Sequence, residues 1–117
     1  MSHRNRQLNQ DQVSEVSAEG QVLRQFSGSL CRPQHIAVDR QGNIFVADSR
    51  NDRILLLDAQ LALRRVIIDA RQLSYRLPLR RRYVQQEPFR LCYMEQSGQL
   101  LVGFFYGGVA VFDVLRR

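Results

Sequence analysis

A chain of 117 residues with 44% hydrophobic and 24% charged content is sized and composed for one globular domain, which excludes disorder along its whole length. No apolar run approaches the about 18 residues of a membrane-spanning helix, and the polar start MSHRNRQLNQDQ lacks the apolar centre of a secretory signal, so the expected compartment is the cytoplasm. All 17 basic residues are arginines and the net charge is +6, a balance that suits either an anionic partner or arginines spread over solvated faces.

In chain order, residues 1–12 read as a polar tail, which contains His3. Val13 to Phe26 holds two short apolar-alternating runs, assigned to residues 13–27. Cys31 follows and is expected to be partly exposed. From Pro33 the runs IAV, NIFVA, RILLL and RVII come close together, separated by turn residues, and no window sustains a helical period. Four strands are expected, at about 34–39, 43–48, 53–58 and 62–68, in an antiparallel meander. The first two are nearly continuously apolar, as expected of strands covered on both faces. DRQGN offers Gly42 and Asn43 for positive φ in a tight turn, and DSRNDR offers Asn51 for the next. Residues 70–87 form an arginine-rich connection, and 88–117 hold three more strands, with Cys92 expected to be a small buried hydrophobe. Both cysteines are expected as free thiols.

The chain matches itself. Pro33 and Pro88 lie 55 residues apart, as do Asp58 and Asp113, and Ile36 falls on Leu91. Gly42 reaches Gly98 after a one-residue shift, and the pair Gly107-Gly108 stands in for the Asn51 turn. Upstream, Val13, Val16 and Phe26 precede Ile54, Leu57 and Ile67 by 41 residues each. That period suits four-stranded propeller blades of about 40–45 residues. The reading is two strands, then four, then three: an all-β, partial, open β-propeller with a half blade at 13–27, a full blade at 33–69 and an incomplete blade at 88–117. Open strand edges at both ends favour a homo-oligomer or a fragment of a larger protein.

The central unit resembles the NHL repeat. The features that carry the likeness are Pro33, the strand ending in Asp39, the Gly42 turn, the Val46-Ala47-Asp48-Ser49 strand end, and Asn51 with Arg53. The third unit reads VGFF at the Asp48 position and Val109 at the Arg53 position, so it has lost that polar signature. The resemblance implies six-bladed-type propeller architecture, found often in tripartite-motif ubiquitin ligases and also alone. Asp48 and Arg53 are expected to face each other across a hairpin and fix it. Asp39 is expected to accept backbone N–H groups, and Pro33 to open a strand where its missing donor costs nothing.

Nothing in the sequence announces chemistry. No nucleophile elbow, P-loop or zinc-protease motif occurs, His35 stands alone at a strand start, and no cofactor or metal is expected. The candidate binding set is Arg71, Tyr75, Arg76, Arg80, Arg81, Arg82 and Tyr83, in which arginines can hold phosphates and tyrosines can stack on bases. Three readings follow. The first is a non-catalytic protein-interaction scaffold. The second is an RNA-binding propeller segment. The third is a remnant of a metal-dependent channel-site hydrolase or lyase.

Overall fold

The computed structural model describes residues 5–69 and 86–114. Their strands form three antiparallel sheets that follow one another along the chain. Blade 1 comprises β1 (Asn5–Asn9), β2 (Gln12–Val16) and β3 (Val22–Gln25). Blade 2 comprises β4 (Pro33–Val38), β5 (Ile44–Asp48), β6 (Arg53–Leu57) and β7 (Leu63–Ile68), with a short 3-10 turn at Ser49–Asn51. Blade 3 comprises β8 (Pro88–Met94), β9 (Gln99–Phe104) and β10 (Val109–Asp113). This is a partial, open propeller in which every sheet is a meander of sequence neighbours.

The middle strands of blade 2 explain the packing. Ile44, Val46, Leu55 and Leu57 join Val13 and Phe26 in a core between blades 1 and 2. The alternate residues Phe45, Ala47, Ile54 and Leu56 join Leu91, Leu100, Val102, Phe104 and Phe112 in a second core between blades 2 and 3. Successive side chains of a strand point to opposite faces, so a sheet with a core on each face needs unbroken apolar runs. NIFVA and RILLL are those runs. The innermost strand β4 differs from expectation, because Ile36 and Ala37 are only half-buried and Val38 is exposed. As the edge of its sheet, β4 has one flank without a paired strand, yet Ile36 still packs against the first core and Ala37 against the second.

The repeat is visible in the register. Asp48 pairs with Arg53 at one end of the β5–β6 ladder, and β1–β2 ends the same way at Asn9 and Gln12. Strands β4, β5 and β6 correspond to β8, β9 and β10. Pro33 and Pro88 each open the first strand of a blade, and in both the register shifts by one residue just after the proline. Arg32 and Glu87, immediately before the two prolines, both take left-handed backbone, at φ 50° and 51°.

Three expectations are corrected. The polar tail contains a strand: β1 (Asn5–Asn9) pairs along β2, so blade 1 has three strands rather than two and begins well before residue 13. Its single apolar residue, Leu8, packs against the first core, and Arg6 Nη2 donates to the Ala59 carbonyl at 3.1 Å. Long-range contacts recruit this strand, and its own pattern does not specify one. Cys92 is exposed, because its neighbours Leu91 and Tyr93 take the inward positions of β8. Positive φ in the DSRNDR turn falls on Asp52, at 49°, and not on Asn51. Cys31 is exposed, and both cysteines are free thiols.

Gly42 takes φ 86°, as its turn demands. Asp39 Oδ1 there accepts the N–H groups of Gln41 and Asn43, each at 2.9 Å. Asp58 repeats the device one hairpin later, accepting from Gln60 and Ala62, but the left-handed position is held by Leu61. Leu61 is 2% exposed, and burying a leucine is worth about 1.5–3 kcal/mol, which exceeds the roughly 1–2 kcal/mol that a left-handed non-glycine residue costs.

Candidate interaction surface at the upper rim

The antiparallel strands give the array two rims. The end that carries Pro33, Asp48, Arg53 and Pro88 is here the upper rim, and the end that carries Asp39, Asp58 and Glu95 the lower.

At the upper rim of blade 2, Asp48 is fully buried and both its oxygens are used. Oδ1 accepts the Cys31 N–H at 2.7 Å, and Oδ2 accepts Asn51 Nδ2 at 2.8 Å and Arg53 Nε at 2.6 Å. Arg53 Nη2 then donates to the Ser29 carbonyl at 2.6 Å. One carboxylate thus ties the approach to β4, the 3-10 turn and the start of β6 into a single unit.

Asp52, four residues on, faces the next blade. Its carboxylate accepts the Gln86 N–H at 2.9 Å and the Glu87 N–H at 2.7 Å, just before Pro88. Asp11 does the same between blades 1 and 2, accepting the Arg32 N–H at 3.1 Å just before Pro33. Each turn aspartate therefore clasps the backbone that leads into the following blade. Sequence reading named Asp48 and missed Asp11 and Asp52; their common place immediately before β2 and β6 was the available signal. The equivalent position before β10 is Gly108, so blade 3 carries no such carboxylate.

His35 is a further inter-blade contact. Its Nδ1 accepts the Leu91 N–H at 2.9 Å, which requires the neutral ring protonated at Nε2. Burial, and then the nearby Arg90 guanidinium, lower its pKa from the ordinary 6.5. The unfolded chain therefore takes up the proton first as pH falls. The stabilising contribution of His35 is complete above about 6.5 and declines as pH drops through that value, until the folded ring also protonates. Thermal unfolding of the wild type at about pH 7.5 and about pH 5.5 is expected to differ more than that of His35→Asn. An equal difference in both proteins would remove His35 from the account.

In blade 3 the same turn has changed chemistry. Where blade 2 has Asp48, Ser49 and Arg50, blade 3 has Phe104, Phe105 and Tyr106. Phe104 turns into the second core, whereas Phe105 and Tyr106 are 63% and 60% exposed. Phe105 meets the Tyr106 and Phe89 rings edge-on, with centroids 5.1 and 6.0 Å apart, and the Arg90 guanidinium lies 5.7 Å from the Phe89 centroid. Phe105 and Tyr106 line a groove of about 220 Å³ with Arg32, Gln34, Ser49, Arg50 and Glu87.

The lower rim holds a wider groove of about 820 Å³ between blades 2 and 3, lined among others by Arg40, Arg64, Arg65, Phe45 and Tyr93. Arg40 N–H donates to Glu95 at 2.6 Å, and Arg65 donates to the Val114 carbonyl, so part of this lining is spent on holding the two blades together. Tyr93 stacks on Phe45, and its phenol pKa is raised by burial and by Glu95 and Asp39.

The predicted binding set Arg71, Tyr75, Arg76, Arg80, Arg81, Arg82 and Tyr83 lies outside the described residues, as does His3. The residues that flank it, Asp69 and Gln86, stand at the upper rim, because Ile68 pairs with Ile54 and Gln86 bonds to Asp52. Among the described residues no three His, Cys, Asp or Glu side chains converge as a metal-ligand set. No described helix is long and apolar enough to cross a membrane.

No curated protein matches the chain in sequence. The family model of the NHL repeat matches residues 30–55, which run from the approach to β4 through the Asp48 turn into β6. Residues 30–55 are thus similar to the NHL repeat, and they fold as β4, β5, the Asp48 turn and the start of β6 in blade 2.

Proposed function

We propose that the chain is a non-catalytic propeller segment that scaffolds protein partners in the cytoplasm through its upper rim. The observation that carries this reading is the exchange of chemistry between equivalent turns. Blade 2 spends its turn residues on holding itself, through Asp48, Asn51 and Arg53. Blade 3 instead presents Phe105 and Tyr106 to solvent beside Arg32 and Arg50. Aromatic and arginine side chains dominate the energetic centres of protein interfaces. NHL repeats are a propeller type widely used for protein interaction, which supports the same reading.

The test is a paired capture with the wild type and the double variant Phe105→Ala/Tyr106→Ala, after nuclease treatment and in about 0.5 M salt, where charge attraction is screened within a few ångströms. Partners retained by the wild type should bind the variant at least about tenfold more weakly. Equal retention by both proteins would sink the assignment to this rim.

A second reading, RNA binding, is favoured by one observation. Segment 70–85, with five arginines and two tyrosines, is flanked at the rim that already carries Arg32, Arg50, Phe105 and Tyr106. On that reading affinity for single-stranded RNA falls steeply with salt and collapses in the triple variant Arg80→Ala/Arg81→Ala/Arg82→Ala.

A further inference from the structure

Blade 2 has a fourth strand, β7, on the outer edge of β6. The equivalent edge of blade 3, along β10, is paired with no described strand. The ladder settles which of its backbone groups face that edge. Val114 N–H donates to the Gly98 carbonyl, and the Gly108 carbonyl accepts from Phe104, so the even-numbered residues of β10 bond inward to β9. Val109, Val111 and Asp113 therefore direct their N–H and C=O groups to the open side. Their side chains share one face, and Val109 and Val111 are 67% and 45% exposed.

The other sheet edges are guarded. Strand β1 carries Arg6, β3 Arg24, β7 Arg64 and Arg65, β4 Pro33, and β8 both Pro88 and Arg90. Charged residues and prolines on edges are the usual means of preventing strand pairing between chains. In a chain with 17 arginines, β10 (VAVFD) is the one edge strand among the described residues with neither an arginine nor a proline, and its single charge, Asp113, stands at its last position.

We propose that β10 pairs with β10 of a second copy of this chain, antiparallel and about a twofold axis through Val111, so that two blade 3 sheets become one continuous sheet. The register makes the edge self-complementary. Val111 lies opposite its own copy and Val109 opposite Asp113 of the other chain, so each outward residue exchanges both backbone bonds with its opposite number and no like charges meet. The same operation on β7 would bring its arginines together across the axis. A twofold pairing also closes, using up both edges and leaving no template for further addition. This deepens the scaffold reading above by naming one partner surface. A monomeric chain would sink it while leaving the capture assay untouched.

The test is the absolute mass by size-exclusion chromatography with light scattering on the full chain, at up to about 100 µM because an interface this small binds weakly. The wild type should approach twice 13.6 kDa as concentration rises. Val111→Lys, which places two ammonium groups at the axis, should remain at 13.6 kDa. Val111→Pro removes only an outward N–H and gives a second variant with the intramolecular ladder intact; it should dimerise at least about tenfold more weakly. In the wild type, amide exchange at Val109, Val111 and Asp113 should slow with concentration, while that at Ala110 and Phe112 should not change. A wild type monomeric throughout, a species larger than a dimer, or a dimer that persists in both variants would each overturn the proposal.

Discussion

Replacing Asp48 with alanine is expected to destabilise the protein by about 3–5 kcal/mol, the usual cost of removing one partner from a buried ion pair. The carboxylate is fully buried, and the substitution orphans three donors: the Cys31 N–H, the Asn51 amide and Arg53 Nε. Arg53 is the more exposed partner, with 30% of its side chain accessible, so its guanidinium recovers some hydration once the carboxylate is gone. A small domain is stable by only about 5–15 kcal/mol, so this one change consumes a large fraction of the total. Asp48→Asn should fall between the two proteins, because it keeps the volume and one acceptor but loses the charge. Urea unfolding followed by circular dichroism measures the cost directly, and Arg53→Ala with the double variant gives the pairwise coupling. A loss below about 1 kcal/mol for Asp48→Ala would mean that the pair behaves like an exposed surface bridge and that the turn is held by something else.

Phe45→Ala should cost a similar amount, about 3–5 kcal/mol, but for a different reason and in a different place. Phe45 is 1% exposed in the core between blades 2 and 3, and it stacks on Tyr93 of β8 with centroids 4.9 Å apart. Removing the ring leaves a cavity at the junction and strips Tyr93 of its partner. In a stacked array each blade is stabilised by its neighbours, so the damage should be directional. Amide exchange should accelerate most in β8 and β9 and least in β1 to β3. Val13→Ala, in the core between blades 1 and 2, should show the reverse pattern. Uniform acceleration across all three blades in both variants would mean that the array unfolds as one cooperative unit and that the nearest-neighbour picture does not apply at this size.

What the sequence determined by itself was the local grammar of the central blade. The nearly continuous apolar character of residues 34–39 and 43–48 called for strands with cover on both faces, which the second shows in full and the first only in part. Gly42 demanded its turn, and the pairing of Asp48 with Arg53 follows from their places at the two ends of one short hairpin. These features need only near neighbours in the chain, so period, turn chemistry and spacing were sufficient to read an all-β blade, and the same residues carry its resemblance to the NHL repeat.

The tertiary structure decided everything that depends on a second blade. Strand β1 reads as a polar tail because NRQLN offers one leucine, and it becomes a strand only when β2 lends it a ladder and Ala59 accepts from Arg6. Cys92 looks buried in an apolar run, yet the alternation set by Leu91 and Tyr93 turns it outward. Asp11 and Asp52 are ordinary turn residues in the sequence, and they become inter-blade clasps only because left-handed Arg32 and Glu87 present their N–H groups from the following blade. The exposed pair Phe105 and Tyr106 and the β10 edge without arginine or proline likewise have no signature along the chain. Their meaning comes from comparison with blade 2, where a buried carboxylate holds the same turn and a fourth strand covers the same edge.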